Sequence, residues 1–191
     1  FTYSYEKLNA TWYVKYLISE NGRIEVENAF NATKNELPLI FRVGMRMQLP
    51  DNFVNAEYYG RGPIENYSDR KTAMFVDRYK SPVAELGAKY VFAQETGHHV
   101  DTRWLALTQK SGEGLLFASD DVFEFNATNY LLEDIDNGAD WHNDAPRLTA
   151  PEKKHYNAYQ ASDKVDLFID YRMQGVGGNN SWGKWPMEPY R

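Results

Sequence analysis

The stretch IFRVGMRMQL, residues 40–49, places Phe41, Val43, Met45, Met47 and Leu49 on one side of a two-residue period and Arg42, Arg46 and Gln48 on the other. That alternation is the mark of a half-buried strand. The same period recurs in WYVKYLI (Trp12, Val14, Tyr16, Ile18), in RIEVENAF (Ile24, Val26, Phe30) and in VDLFIDY (Val165, Leu167, Ile169 and Tyr171 against Asp166 and Asp170). ENGR at 20–23 joins two of these strands through an Asn-Gly pair, and KSGEGLLF at 110–117 reads as a second glycine-bearing hairpin. Helical periodicity is nearly absent. SPVAELGAKY (81–90) and ATNYLLEDIDNG (127–138) each have room for two or three turns, the second ending at Gly138. Long strands, hairpins and few helices predict an all-β, antiparallel sandwich or barrel.

A length of 191 residues predicts a single domain, 1–191, with a sizeable core. Apolar residues make up 42% and charged residues 25%, as in ordinary globular chains, while aromatic residues reach 15%. Such rings favour strands and supply flat faces on which sugars stack. The net charge is −6 and the Lys and Arg residues are scattered, which argues against a nucleic-acid partner. No apolar run approaches the ~18 residues of a membrane span. The chain opens on Phe1 and reads as a piece of a longer protein, so its compartment is left open. The absence of cysteine excludes disulfides, thiolate metal sites and a cysteine nucleophile. Five Asn-x-Ser/Thr sequons, at Asn9, Asn31, Asn66, Asn126 and Asn179, would matter only in a eukaryotic secretory context.

Several residues could carry chemistry. Glu65, Asp69, Glu95, Asp120 and Asp121 lie near turns, where a carboxylate either serves a glycosidase-type pair or sits in a solvated ion pair with Arg61, Arg70 or Arg103. His98 and His99 are adjacent, so on a strand they point to opposite faces and cannot share a metal; His142 and His155 lie apart. No nucleophile elbow or phosphate loop is present. The block EYYGRGPIENYSDRKTA (57–73) packs tyrosines, a Gly-x-Gly-Pro turn, Glu65, Asn66, Asp69 and Arg70 into a short non-periodic run, which suits a binding surface and a rigid polar corner equally. The polar, irregular stretch 136–154 reads as a long surface loop, and loops of that length tend to be functional.

Three motifs, YYGRGPIENYSDR (58–70), FAQETGHHVDTRWLAL (92–107) and IDYRMQGVGGNNSWG (169–183), in this order resemble the C-terminal domain of the glycoside hydrolase family 2 β-galactosidases. The resemblance covers most of residues 40–183. It implies an antiparallel supersandwich of the galactose mutarotase type, here truncated at both ends. It further implies a domain that completes an active-site mouth in the hydrolysis of terminal β-D-galactosides. The catalytic glutamates of that family sit on a TIM-type barrel that this chain lacks, so no catalytic residue is assigned here. In the family, the tryptophan of the Ser-Trp pair after the glycine-rich run stacks against sugar. Trp182 holds that place, with Ser181 and Asn180 beside it as substrate-binding candidates; Asn179 and Asn180 stand where an acid is common. Trp185 is read as structural.

Arg61, Glu65, His98 and His99 are candidate groove contacts. The resemblance implies no metal or cofactor in this domain, the parent's divalent and monovalent cations being bound elsewhere. The implied partners are the rest of the parent chain and a galactoside or acceptor sugar, with a homo-oligomer through exposed sheet edges as a further expectation. Two other readings use the same fold. A self-contained aldose epimerase of the mutarotase type would need His98 or His99 to meet Glu95 or Glu124 in one groove. An independent carbohydrate-binding module would bind sugar without the parent.

Overall fold

The computed structural model describes residues 1–33, 37–91, 95–135, 156–178 and 185–191. All sheet pairing among them is antiparallel, as the two-residue period requires. The chain falls into two units, Phe1–Ile40 and Phe41–Arg191.

The first unit is a three-stranded meander of β1 (Thr2–Tyr5), β2 (Ala10–Ile18) and β3 (Ile24–Ala32). The Asn-Gly turn closes β2 onto β3 with Ile18 opposite Ile24 and Trp12 opposite Phe30. The Trp12 and Phe30 rings lie 5.7 Å apart, the cross-strand aromatic contact that helps hold a small sheet together. Val14 and Ala10 are buried, whereas Tyr16, Ile18, Ile24 and Val26 at the turn end are exposed.

The second unit is a six-stranded sheet: β4 (Arg42–Pro50), β5 (Asn55–Gly62), β6 (Phe75–Pro82), β7 (His98–Thr108), β8 (Gly114–Thr128) and β9 (Lys164–Met173). Its spatial order is β4-β9-β8-β7-β5-β6, with β4 and β6 at the edges. The second hairpin joins β7 to β8 through Gln109–Glu113. Tyr58, Leu105, Leu107, Phe125, Ala127 and Leu167 project from one face and are wholly buried, with Met47 and Ile169 packed against them. Each large apolar side chain so buried contributes about 1.5–3 kcal/mol, which makes this face the core.

The two helical segments are shorter than the sequence suggests. Within 81–90 only a 3-10 turn, Val83–Glu85, forms, because β6 claims Ser81 and Pro82 and Val83 plugs the core. Within 127–138, Ala127 and Thr128 belong to β8 and a single turn spans Leu132–Ile135; Gly138 lies outside the described residues.

Candidate functional site

On the other face of the six-stranded sheet, the part formed by β9, the end of β8 and the start of β7 is charged, and it too is buried. Register places Gly44, Asp170 and Glu124 in one row across β4, β9 and β8, and Arg46, Phe168, Asn126 and His98 in the next, which extends to β7. A bulge between Val43 and Gly44 shifts the start of β4. Gly44 has a steric reason to be glycine: a Cβ there would lie 2.2 Å from the Asp170 carboxylate. Asp166, Asp170 and Glu124 are at most 3% exposed.

Arginines from β4 neutralise part of this charge. Arg46 forms a two-pronged pair with Asp166 (2.8 and 2.7 Å) and also reaches Glu133, which holds the Glu133 carboxyl down at about 2. Arg42 donates to Glu95 at 3.1 Å and lies over the Phe168 ring at 4.2 Å. Its Nε stands 3.1 Å from Asp170 Oδ2, but neither atom is aligned for a hydrogen bond. Burial, reinforced by the nearby Glu124 and Glu95 carboxylates, therefore outweighs the attraction of Arg42 and pushes the Asp170 carboxyl up to about 7.

His98 and Glu124 do meet: Nε2 and Oε2 are 2.9 Å apart, and the same oxygen accepts the Met173 backbone N–H at 2.8 Å. The His98 ring stacks on Tyr67 at 5.6 Å. His99 points to the opposite face, as adjacent strand residues must, and its ring stacks on Phe125 at 4.8 Å inside the core. Burial pushes the His99 imidazole down to about 3, so it is neutral. Both histidines, expected as groove contacts, have no exposed surface in this chain.

The block 57–73 takes the form of a polar corner. The peptide between Gly62 and Pro63 is cis. Asn66 is fully buried, donating to the Arg61 and Ile64 carbonyls (2.9 and 3.0 Å) and accepting the Val100 N–H (2.9 Å). Glu65 accepts from the Tyr90 hydroxyl, the Thr96 hydroxyl (3.0 Å) and the Gly97 N–H (2.6 Å). Arg61 pairs with Asp101, which Lys71 also contacts at 3.0 Å. Burial works to raise the Asp101 carboxyl, and the hydrogen bonds from Arg61 and Lys71 together hold it below the usual range. The two expected groove contacts of this block, Arg61 and Glu65, thus spend their charge on internal partners. Asp69 accepts the Val176 and Gly177 N–H groups (3.1 and 2.8 Å), and Arg70 donates to the Gly177 carbonyl (2.7 Å). The corner therefore grips the glycine-rich run that leads to residue 182.

Asn179, Asn180, Ser181 and Trp182 lie outside the described residues, as do His142, His155 and the stretch 136–154. Trp185, read as structural from the sequence, is 61% exposed and so does not serve as a buried plug. Asp120 and Asp121 are exposed near the middle of β8. Sequons Asn66 and Asn126 are buried with their amide nitrogens already donating, so neither can accept a glycan in the folded chain. Among the described residues no group of three or more His, Asp or Glu is disposed to hold a metal ion, and no helix is long and apolar enough to cross a membrane. Asp170, Arg42, Asp166 and Arg46 were not singled out as site residues from the sequence. Their alternation was visible, but strand period assigns a side of a sheet and does not say whether water reaches it.

The family model of the β-galactosidase small chain matches residues 2–191. The chain is 31% identical to a β-galactosidase of Priestia megaterium over 91% of its own length, and 32% identical to one of Vibrio cholerae over 93%. A β-galactosidase of Staphylococcus xylosus is 29% identical over 95%. The chain spans about 15% of the length of these relatives. It belongs to the β-galactosidase small-chain family.

Proposed function

We propose that this member of the small-chain family is the segment of a larger β-galactosidase that completes the mouth of the active site, where Trp182, with Ser181 and Asn180, contacts the galactoside or acceptor sugar. Hydrolysis of the terminal β-D-galactoside belongs to carboxylates on the remainder of the parent chain, which is this segment's first partner. The observation that carries the reading is the grip of Asp69 and Arg70 on Val176 and Gly177, which fixes the stem of the Trp182 segment on a rigid corner. An indole face suits the apolar C–H side of a galactose ring.

The buried charge supports a non-catalytic role. A retaining glycosidase needs two carboxylates about 5 Å apart around an accessible substrate, whereas Glu95, Glu124 and Asp170 are enclosed and committed to Arg42, His98 and backbone. The His98–Glu124 contact is the geometry a self-contained epimerase would need, but it sits where no sugar can enter. The six-stranded sheet is read as part of a larger supersandwich whose edges, β4 and β6, pair within the parent assembly. Cations that the parent uses are assigned to its other domains.

The test is Trp182→Ala in the full-length protein, assayed on a chromogenic β-galactoside and on lactose. A fall in kcat/KM of about tenfold or more, roughly 1.4 kcal/mol, with an unchanged thermal melt is expected. Unchanged kinetics would remove this segment from the substrate site.

A further inference from the structure

We infer that Asp69 and Arg70 are positioning residues for substrate binding: they lock the backbone at 175–178 and so fix where the Trp182 segment starts. The inference rests on the reading of Trp182 given above.

Asp69 and Arg70 address consecutive backbone groups more than 100 residues away in sequence: Val176 N–H, Gly177 N–H and Gly177 C=O. Each contact has one charged partner, which strengthens it relative to a neutral hydrogen bond. The approach is close enough to dictate sequence. A Cβ at residue 175 would lie 2.5 Å from the Asp69 carboxylate carbon, so any larger residue there would push the carboxylate off its backbone partners. Gly177 and Gly178 take φ of +67° and +71°, a turn made directly under the clamp.

The far stem of the segment returns to the same place. The Gly175 N–H donates to the Tyr190 carbonyl at 2.6 Å. Pro186, Met187 and Tyr190 line one small cavity with Asp69, Arg70 and Gly177. Residues 175–177 and 186–190 therefore meet beside one acid–base pair, whose own backbone is tied by the Tyr67–Arg70 bridge. A sugar-stacking ring is useful only if it is already in place when substrate arrives, because ordering it on binding consumes affinity. The clamp fixes the backbone at 175–178, the stem from which such placement has to start.

The test uses the full-length protein with Asp69→Asn, Trp182→Ala and the double variant. Asparagine keeps the shape but offers one acceptor oxygen and turns an NH2 group toward backbone donors. Expected for Asp69→Asn are at least tenfold faster amide exchange at Val176 and Gly177, an unchanged melt, and KM raised about fivefold with kcat nearly constant. In the Trp182→Ala background the same change should add less than twofold, since a residue acting through Trp182 has nothing left to place. Arg70→Gln, which removes the charge from the other arm of the clamp, should repeat the pattern more weakly.

Unchanged exchange would overturn the clamp. Faster exchange with full additivity of the two variants, or with KM unaltered while Trp182→Ala alters it, would overturn the positioning role. If Trp182→Ala alone leaves KM unchanged, the substrate-contact reading fails instead, and the clamp stands or falls on exchange.

Discussion

On one face of the six-stranded sheet, β9 lays Val165, Leu167 and Ile169 against Leu49, Phe125 and Ala127; on the other it lays Asp166, Phe168 and Asp170 among Arg42, Arg46, Glu124 and Asn126. Leu167 and Asp166 are equally inaccessible to water. The apolar face is held by area removed from water, which is non-directional and tolerates small shifts. The charged face has a desolvation cost that only well-aimed partners offset, so its stability depends on geometry. A strand can therefore be buried on both sides while its sequence still alternates.

Removing one member from each face is the largest test of that contrast. Arg42→Leu should cost about 3–5 kcal/mol in urea unfolding at pH 8, because Glu95 and Asp170 lose their cation while still enclosed. Leu167→Ala should cost about 2–5 kcal/mol through lost burial and the cavity left behind. The two should part company with pH: the Arg42→Leu penalty should shrink toward pH 5, where Asp170 is protonated, and the Leu167→Ala penalty should not. Equal behaviour would mean that the charged face is held like the apolar one.

Asp170 gives a smaller and sharper effect. Its carboxyl binds a proton more tightly folded (about 7) than unfolded (3.8), so its contribution to stability is full below about pH 4 and is lost as pH rises through 7. Asp170→Asn removes that loss. The unfolding free energy of the variant relative to the natural chain should rise between pH 4 and pH 8, by on the order of a few kcal/mol. A flat difference would show that Arg42 neutralises Asp170 fully.

The smallest effect is expected from the polar residue on the apolar side. His99 stacks on Phe125 in the core and its Nδ1 lies 3.0 Å from the Gly97 carbonyl, so His99→Phe keeps the ring contact, loses that hydrogen bond and should cost on the order of 1–3 kcal/mol at pH 7.5. Since burial lowers the His99 pKa from 6.5 to about 3, the natural chain loses stability as pH falls through that window. The variant should lose less, as thermal melts at pH 7.5 and pH 4 would reveal. An equal loss in both chains on acidification would show that His99 is not the group whose protonation destabilises the fold.

Much of the fold was legible. The period of two located β2, β3, β4 and β9, and the Asn-Gly and Ser-Gly turns located both hairpins. Helix-compatible runs at 81–90 and 127–138 were overread, because strand pairing and core plugging by Val83 overrode local propensity. Of the site, the sequence marked the 58–70 block and the glycine-rich run as unusual, yet gave no sign that Asp69 and Arg70 of the first bind Val176 and Gly177 of the second.

What the sequence determined by itself is local and periodic: strands, turns, the all-β class, and the ordered motifs that mark the family. Tertiary structure alone decided that Asp166 and Asp170 are enclosed, that His98 meets Glu124, and that Asn66 and Asn126 are sealed against modification. The physical reason is separation. Side-chain direction along a strand follows from the residue's own backbone, whereas burial and charge pairing depend on chain up to about 130 residues away, as with Arg42 and Met173. Only the folded sheet brings such groups together.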